Sequence, residues 1–483
     1  MPIITQVDLL KERRTKIVAT IGPASQSPAN IKKLIQAGVN VFRLNMSHGD
    51  HDFHRTVFQQ IRLIATELDK PTAILADLCG PKIRTGRFKD GEIVLEKAAK
   101  VTVTTRDIAG EAGLIPSQYK ALAEDVTLND KILLNDGNIE LKVDAIAGTE
   151  ISCTVIHGGV LADNKGINLP GVKISAPSLT EKDRQDALFA LELGVDFLAL
   201  SFVRRAADIE ALRQLIEQHQ ASTLIIAKIE KPEALKEASS ILDAADAIMV
   251  ARGDLGVELR PEEVPVAQNQ LIERARQKFK PVIVATQMLE SMINNARPTR
   301  AEVADISHAV TQGADAVMLS AETAVGDFPI AAVNMMDRIA RQTEAHLWQS
   351  GAYASGLKIT QKPPIPIWAA VANSVNNLAH DLSVKAVILV THSGMSAATI
   401  SSARPAAPVV AISNSQATCR RMSLLWSVIP VYSEQAGSTN PNQLARQIAK
   451  DLGLAEEGEY VILVRGFHSD PRMNTPTVTA LTI

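Results

Sequence analysis

Eight short apolar runs, each closed by polar or charged residues and separated by amphipathic stretches, constrain this chain more than any other feature. They occupy residues 16–22, 39–47, 72–78, 197–203, 224–230, 247–254, 281–287 and 316–322. Their alternation with helical periodicity argues for parallel βα units, and eight such units close a (β/α)8 TIM barrel. Polar side chains gather at the carboxyl ends: Arg43, Asn45 and Ser47, then Asp77, Lys228 and Glu230, Asp254, Thr286 and Gln287, and Ser320 and Glu322. Active sites of such barrels occupy that face.

The spacing breaks once, between Asp77 and Phe197. Residues 85–170 carry short alternating stretches at 92–95, 100–105, 131–134, 139–143 and 151–155, separated by Asp, Asn and Gly turns. This pattern predicts an inserted all-β domain between barrel segments 1–84 and 171–345. Asn135-Asp136-Gly137-Asn138 reads as a hairpin turn, and residues 164–171 as the return hinge. After a long helical stretch at 330–350, residues 351–366 are rich in Gly, Pro and Lys and read as a linker. Strand candidates at 386–391, 408–413, 428–432 and 460–465 then predict an open α/β domain within 346–483.

Composition narrows the partners. Fifty basic against 53 acidic side chains give a formal charge of −3, so no global field favours nucleic acid or an anionic membrane. Cys79, Cys153 and Cys419 lie far apart without metal-ligand spacing, which fits a reducing compartment. Residues 1–14 lack a secretory pattern, and no apolar run approaches the roughly 18 residues that span a bilayer. The expectation is a cytoplasmic protein.

The chemistry concentrates in Ala227-Lys228-Ile229-Glu230 and Ala251-Arg252-Gly253-Asp254-Leu255-Gly256. Alternate strand residues share a face, so Lys228 and Glu230 point the same way. Neighbouring parallel strands lie about 4.8 Å apart, so Glu230 and Asp254 at adjacent strand ends can share a hard divalent cation, leaving positions for substrate and water. The bland alternative is a pair of solvated ion pairs at loop ends. Arg43 shares a face with Asn45 and Ser47, and its fork suits a phosphate, or merely caps a barrel strand. Backbone amides at Ala251 to Asp254 suit a carboxylate nest, with Gly253 permitting close approach. The chain has neither a Walker A loop nor a Gly-x-Gly-x-x-Gly fingerprint, so the common kinase architectures do not apply.

These segments, together with residues 15–23, 42–49, 80–86, 164–171, 285–292, 298–302 and 319–323, closely resemble the pyruvate kinase family. The resemblance implies phosphoryl transfer from phosphoenolpyruvate to ADP, with pyruvate and ATP as products. It implies Mg²⁺ (or Mn²⁺) held by Glu230 and Asp254, with Lys228 stabilising the phosphoryl group in flight and the enolate. Arg43, Lys228, Ala251, Gly253, Asp254 and Thr286 then contact the substrate. Thr286 and Ser320 fall on the enolate face that takes a proton, though a satisfied core hydroxyl and a helix N-cap are equal alternatives. ADP is implied to lie between barrel and inserted domain, against Asn45, His48, Arg84 and Lys165, with His48 also readable as a surface loop residue. A homotetramer follows from the resemblance alone.

Two positions depart from many relatives. Lys82 stands where those that need K⁺ carry Glu, and Leu78 stands where they carry Thr. A fixed ammonium at Lys82 is expected to replace K⁺, with Asp77 pairing with it or with nearby groups. In the last domain, Thr391, Ser393, Gly394 and Ser396 form a hydroxyl-rich turn matching the effector loop of allosteric relatives, without the basic residue often found where Met395 stands. A phosphorylated-sugar effector and an ordinary helix start both fit. Two other functions share parts of this pattern: a Mg²⁺-dependent barrel lyase or aldolase acting on an oxoacid, and an inactive metabolite sensor. The complete set Arg43, Lys228, Glu230, Asp254 and Thr286 argues against the sensor, and Arg84 with Lys165 against the lyase.

Overall fold

Alternation within each apolar run decides which side chains enter the barrel. The computed structural model describes residues 13–352, 364–467 and 473–483, so most of the expected linker at 351–366 and of residues 1–14 lies outside the described residues. Strands Lys16–Thr20, Val41–Asn45, Ala73–Asp77, Phe197–Leu200, Leu224–Ile229, Ala247–Ala251, Val282–Ala285 and Ala316–Leu319 pair in parallel in chain order. Lys16 lies against Ala316 and closes the barrel. Val18, Val41, Leu75, Ile226, Met249 and Met318 fill its interior, while Ile17, Phe42, Leu44, Ile74, Ile225 and Ile248 face the surrounding helices. The inward parity of Val41, Leu75 and Ile226 continues to Arg43, Asp77 and Lys228, which is how apolar strands deliver charge to one mouth of the barrel.

Local signals set the helix ends. Thr180 and Thr299 each form a capping box, with Asp183 and Glu302, and left-handed Gly194 and Gly313 close the same two helices.

The inserted segment forms a two-stranded sheet, Glu92–Leu95 with Gly159–Ala162, and a six-stranded sheet running from Ile167–Asn168 to Leu114–Pro116. The hairpin joining Lys131–Leu134 to Ile139–Ala147 turns through Asn135, Asp136 and Gly137, all at positive φ. The last domain is a five-stranded sheet. Its four parallel strands, Val428–Tyr432, Val409–Ser413, Val387–Val390 and Tyr460–Arg465, match the sequence reading, and the sequence missed an antiparallel edge strand, Thr477–Thr482. No helix among the described residues is long and apolar enough to cross a membrane.

The last domain seals the amino end of the barrel. Leu424 inserts among the barrel-interior side chains and is 1% exposed. Around it Lys16 Nζ donates to Val428 O at 2.7 Å, and Arg404 pairs with buried Asp315 at 2.9 Å. Replacing Leu424 with alanine leaves a cavity where two domains meet and is expected to cost about 2–5 kcal/mol. Thermal unfolding should show the lowered midpoint, and an unchanged midpoint would mean that the plug carries no packing energy.

Candidate active site

At the carboxyl mouth of the barrel the inward-facing charges form a chain. Arg43 Nε donates to Asp77 Oδ2 at 2.6 Å, Asp77 Oδ1 lies 3.2 Å from Lys228 Nζ, and Lys228 Nζ lies 2.9 Å from Glu230 Oε1. Ser201 Oγ accepts from Lys228 at 2.6 Å and donates to Leu78 O at 2.7 Å. Asp77 and Glu230 are each 1% exposed. Burial alone would depress the Lys228 ammonium, but the charges of Asp77 and Glu230 outweigh it and hold its pKa above the ordinary lysine value. Burial would likewise raise Asp77, yet Lys228 and Arg43 keep it below the usual carboxylate range. Lys228 is therefore a permanent cation fixed on three sides. Asp77 takes Arg43 and Lys228 as partners rather than Lys82.

Glu230 behaves differently. Burial raises its pKa, Lys228 opposes that, and the like charge of Asp254 adds to the rise. With Asp254 included, three carboxylates face two cations, and the repulsion between Glu230 and Asp254 is what a bound cation would relieve. Glu230 Oε2 is fixed by the backbone N–H of Phe202 at 2.7 Å. Among the described residues no group of three or more His, Cys, Asp or Glu has metal-holding geometry, so these two carboxylates could not enclose an ion alone. Two oxygens with room for substrate and water suit Mg²⁺ or Mn²⁺ better than a structural metal.

On the neighbouring strand ends, Thr286 adopts φ +71°, a left-handed conformation that a β-branched residue enters only under strain. Three bonds hold it. Its Oγ1 accepts from Gly253 N at 2.7 Å and donates to Ala285 O at 2.6 Å, and Arg252 Nη2 donates to its carbonyl at 2.7 Å. Within the Ala251–Asp254 segment read as a carboxylate nest, the Gly253 amide has Thr286 as its partner. The Thr286 hydroxyl is similarly committed. Ser320 begins a short helix without a side-chain cap bond, and among the described residues its hydroxyl makes no hydrogen bond, while its backbone N–H donates to Glu322 at 2.7 Å.

A second cluster lies on the loop after strand Val41–Asn45. His48 is exposed, and its pKa is lowered first by partial burial and then by the charges of Arg84, Lys82 and Arg43. Three cations converging on one imidazole mark a place for an anion. Asn45 Oδ1 accepts from Ser47 N at 3.2 Å, so this side chain shapes the loop. Arg84 donates to Asn164 O at 3.1 Å, and Lys165 joins the same junction through its backbone, its carbonyl accepting from Thr85 N at 2.8 Å. Beside this lies a crevice lined by Lys82, Arg204, Lys231 and Asp254 from the barrel side and by Asp136 and Asn168 from the inserted segment. The chain thus brings Arg43, Lys228, Glu230 and Asp254 together, and Arg84 with His48, whereas among the described residues Lys165 is tied to this junction through its backbone, at Thr85.

The sequence reading missed Ser201, which orients Lys228, and Arg252, which holds Thr286. Ser201 directly follows strand Phe197–Leu200 with inward parity, a usable signal; Arg252 stood inside the 251–256 motif, but nothing there pointed it at Thr286. In the last domain Thr391 and Ser396 are buried, and Thr391 Oγ1 accepts from Gly394 N at 3.0 Å, so of the loop's three hydroxyls only that of Ser393 is exposed.

Comparison with known proteins agrees with this geometry. The family described as "Pyruvate kinase, barrel domain" matches residues 12–333, and "Pyruvate kinase, alpha/beta domain" matches residues 369–479. A pyruvate kinase of Geobacillus stearothermophilus is 44% identical over 463 residues, covering 94% of this chain and 78% of that protein. Pyruvate kinase 2 of a Synechocystis species is 43% identical over 460 residues, covering 94% and 76%. A crystal structure of a pyruvate kinase from Cryptosporidium parvum superposes with a TM-score of 0.89 at 35% identity, covering 98% of both chains. An eight-stranded barrel with a charged mouth, an inserted β segment and a terminal α/β domain thus accompanies matches along nearly the whole sequence, and the chain belongs to the pyruvate kinase family.

Proposed function

We propose that the enzyme transfers the phosphoryl group of phosphoenolpyruvate to ADP, giving pyruvate and ATP, with Lys228 as its central electrostatic group. The observation that carries this reading is the Lys228 ammonium, buried between Asp77 and Glu230 and kept charged by them. A fixed cation stabilises charge that develops on the transferred group and on the enolate left behind. Arg43, anchored through Nε on Asp77 and through Nη1 on Thr20 Oγ1 at 3.1 Å, presents the rest of its fork to the substrate phosphate. Glu230 and Asp254 are the residues that would hold Mg²⁺, or Mn²⁺, which would supply positive charge against the anionic substrate. Thr286, through its bond to Gly253, keeps the Ala251–Asp254 segment in place beside the substrate. The Ser320 hydroxyl is free to pass a proton to the enolate through water.

The ADP phosphates bind the cluster of His48, Arg84 and Lys82, with Asn45 shaping the loop and Lys165 approaching from the hinge. Residues 85–170 serve as a lid over barrel segments 1–84 and 171–345, and closure excludes water as a competing acceptor. Lys82, exposed and without an ion pair among the described residues, supplies the positive charge that K⁺ gives elsewhere. Residues 346–483 form a regulatory domain in a cytoplasmic homotetramer, where Ser393 and the Gly394 turn are the parts of the effector loop open to a sugar phosphate.

Pyruvate release from phosphoenolpyruvate, followed in buffer free of K⁺ and Na⁺, tests these assignments together. Release should require both ADP and a divalent cation and should rise less than about twofold on adding K⁺, the fixed Lys82 ammonium already supplying that charge. Release without ADP would mean that water takes the phosphoryl group, a phosphatase rather than a kinase, and strong K⁺ activation would remove Lys82 from its role.

A further inference from the structure

We propose that His54 is a positioning residue for the nucleotide site, holding from beneath the turn that presents His48. The inference rests on the reading that His48 contacts the nucleotide phosphates. His54 lies in the first turn of helix His51–Glu67 and is 2% exposed, and its Nε2 sits 2.9 Å from the His48 carbonyl oxygen. A carbonyl only accepts, so Nε2 carries the hydrogen and Nδ1 is bare. Burial lowers the His54 pKa, which keeps the ring in this neutral form. Nδ1 is buried and has no hydrogen-bond partner among the described residues. A position that needed only bulk would be better served by an apolar side chain, because an orphaned buried acceptor costs stability. What the imidazole adds is the bond to His48 O.

The turn has little freedom elsewhere. Gly49 sits at φ +78°, and a Cβ there would lie 2.9 Å from Phe53 and 3.4 Å from His54 Nε2, so the backbone rests directly on this helix turn. Lys182 Nζ holds the start of the loop through Met46 O at 2.9 Å. The His48 ring is left facing Arg84, Lys82 and Arg43, while its carbonyl is tied down behind it.

His54→Leu removes the donor and keeps the bulk, and His54→Gln offers a replacement N–H. Steady-state kinetics with ADP varied at saturating phosphoenolpyruvate, and the reverse, should show about a fivefold higher KM for ADP in His54→Leu, as expected for one lost neutral hydrogen bond. The KM for phosphoenolpyruvate and kcat should stay within about twofold, and His54→Gln should recover most of the loss. His48→Ala with His54→Leu should be no worse than His48→Ala alone, since the two act through one contact. An unchanged KM for ADP in His54→Leu, or parallel rises in both KM values that follow a drop in melting temperature, overturns the proposal. If His48→Ala raises the KM for ADP and His54→Leu does not, positioning alone fails; if His48→Ala also has no effect, the nucleotide reading fails with it.

Discussion

Lys228→Met is expected to lower turnover by about 10³-fold or more while leaving divalent-cation affinity within a few-fold of the parent. The methionine side chain occupies similar space, so the change removes charge more than volume. The lost charge is not replaced at that place: Arg43, which offers its fork to the phosphate, is anchored on Asp77 and Thr20, and the Ser201 hydroxyl is neutral. Metal affinity should survive because the removed group is a cation beside Glu230, and its loss makes the local potential more favourable to a second cation. There is a structural cost. Asp77 keeps Arg43, but Glu230 loses its ion-pair partner, and breaking a buried pair typically costs about 3–5 kcal/mol. Turnover should therefore be compared at a temperature where the variant is shown folded by circular dichroism. Mn²⁺ binding without substrate supplies the second readout. A folded variant turning over within about tenfold of the parent would end the assignment of Lys228 as the main charge stabiliser.

The strands of the barrel and the mouth at which chemistry gathers were legible because both depend on period-two alternation within single strands. Val41 to Asn45 already encodes that Arg43 and Asn45 enter the same space, whatever the neighbouring strand does. What alternation does not encode is register. Asp77 meets both Arg43 and Lys228 because Ala199 lies opposite both Asp77 and Ile226, a relation between strands far apart in sequence. A Lys82 partner for Asp77 suited the local sequence, yet inward parity aims Asp77 at the barrel axis and Lys82 is exposed. The Thr286 partner of the Gly253 amide was hidden for a similar reason, since it comes from the adjacent strand end in a conformation that Thr rarely adopts. The edge strand Thr477–Thr482 carries three threonines and one buried side chain, Leu481, so its pattern looks like a polar tail. His54 offered no sequence signal at all: a histidine in an amphipathic helix points equally to core, solvent or site until its partner is seen.

Glu230→Gln should separate metal binding from charge stabilisation, with divalent-cation affinity falling about 100-fold and activity recovering only in part at high metal concentration. The amide is isosteric and its oxygen can still accept from Phe202 N, so the loop around Phe202 keeps its contact. The other end of the amide meets Lys228. An NH₂ group placed where Oε1 lies 2.9 Å from the Lys228 ammonium sets donor against donor, so the lysine should shift toward Asp77, its remaining carboxylate partner. Two effects follow from one substitution: a weaker metal site through loss of charge, and a lower kcat at saturating metal through a displaced Lys228. The second should be smaller, because the ammonium itself is still present. Asp254→Asn weakens the same metal site without touching Lys228 directly, so it should reproduce the first effect and largely spare the second. Calorimetric titration of Mn²⁺ into the substrate-free enzyme, with kcat measured at saturating metal, reads the two separately. Unchanged Mn²⁺ affinity in both variants would place the cation elsewhere. Equal kcat losses in both would mean that Lys228 does not depend on Glu230 for its position.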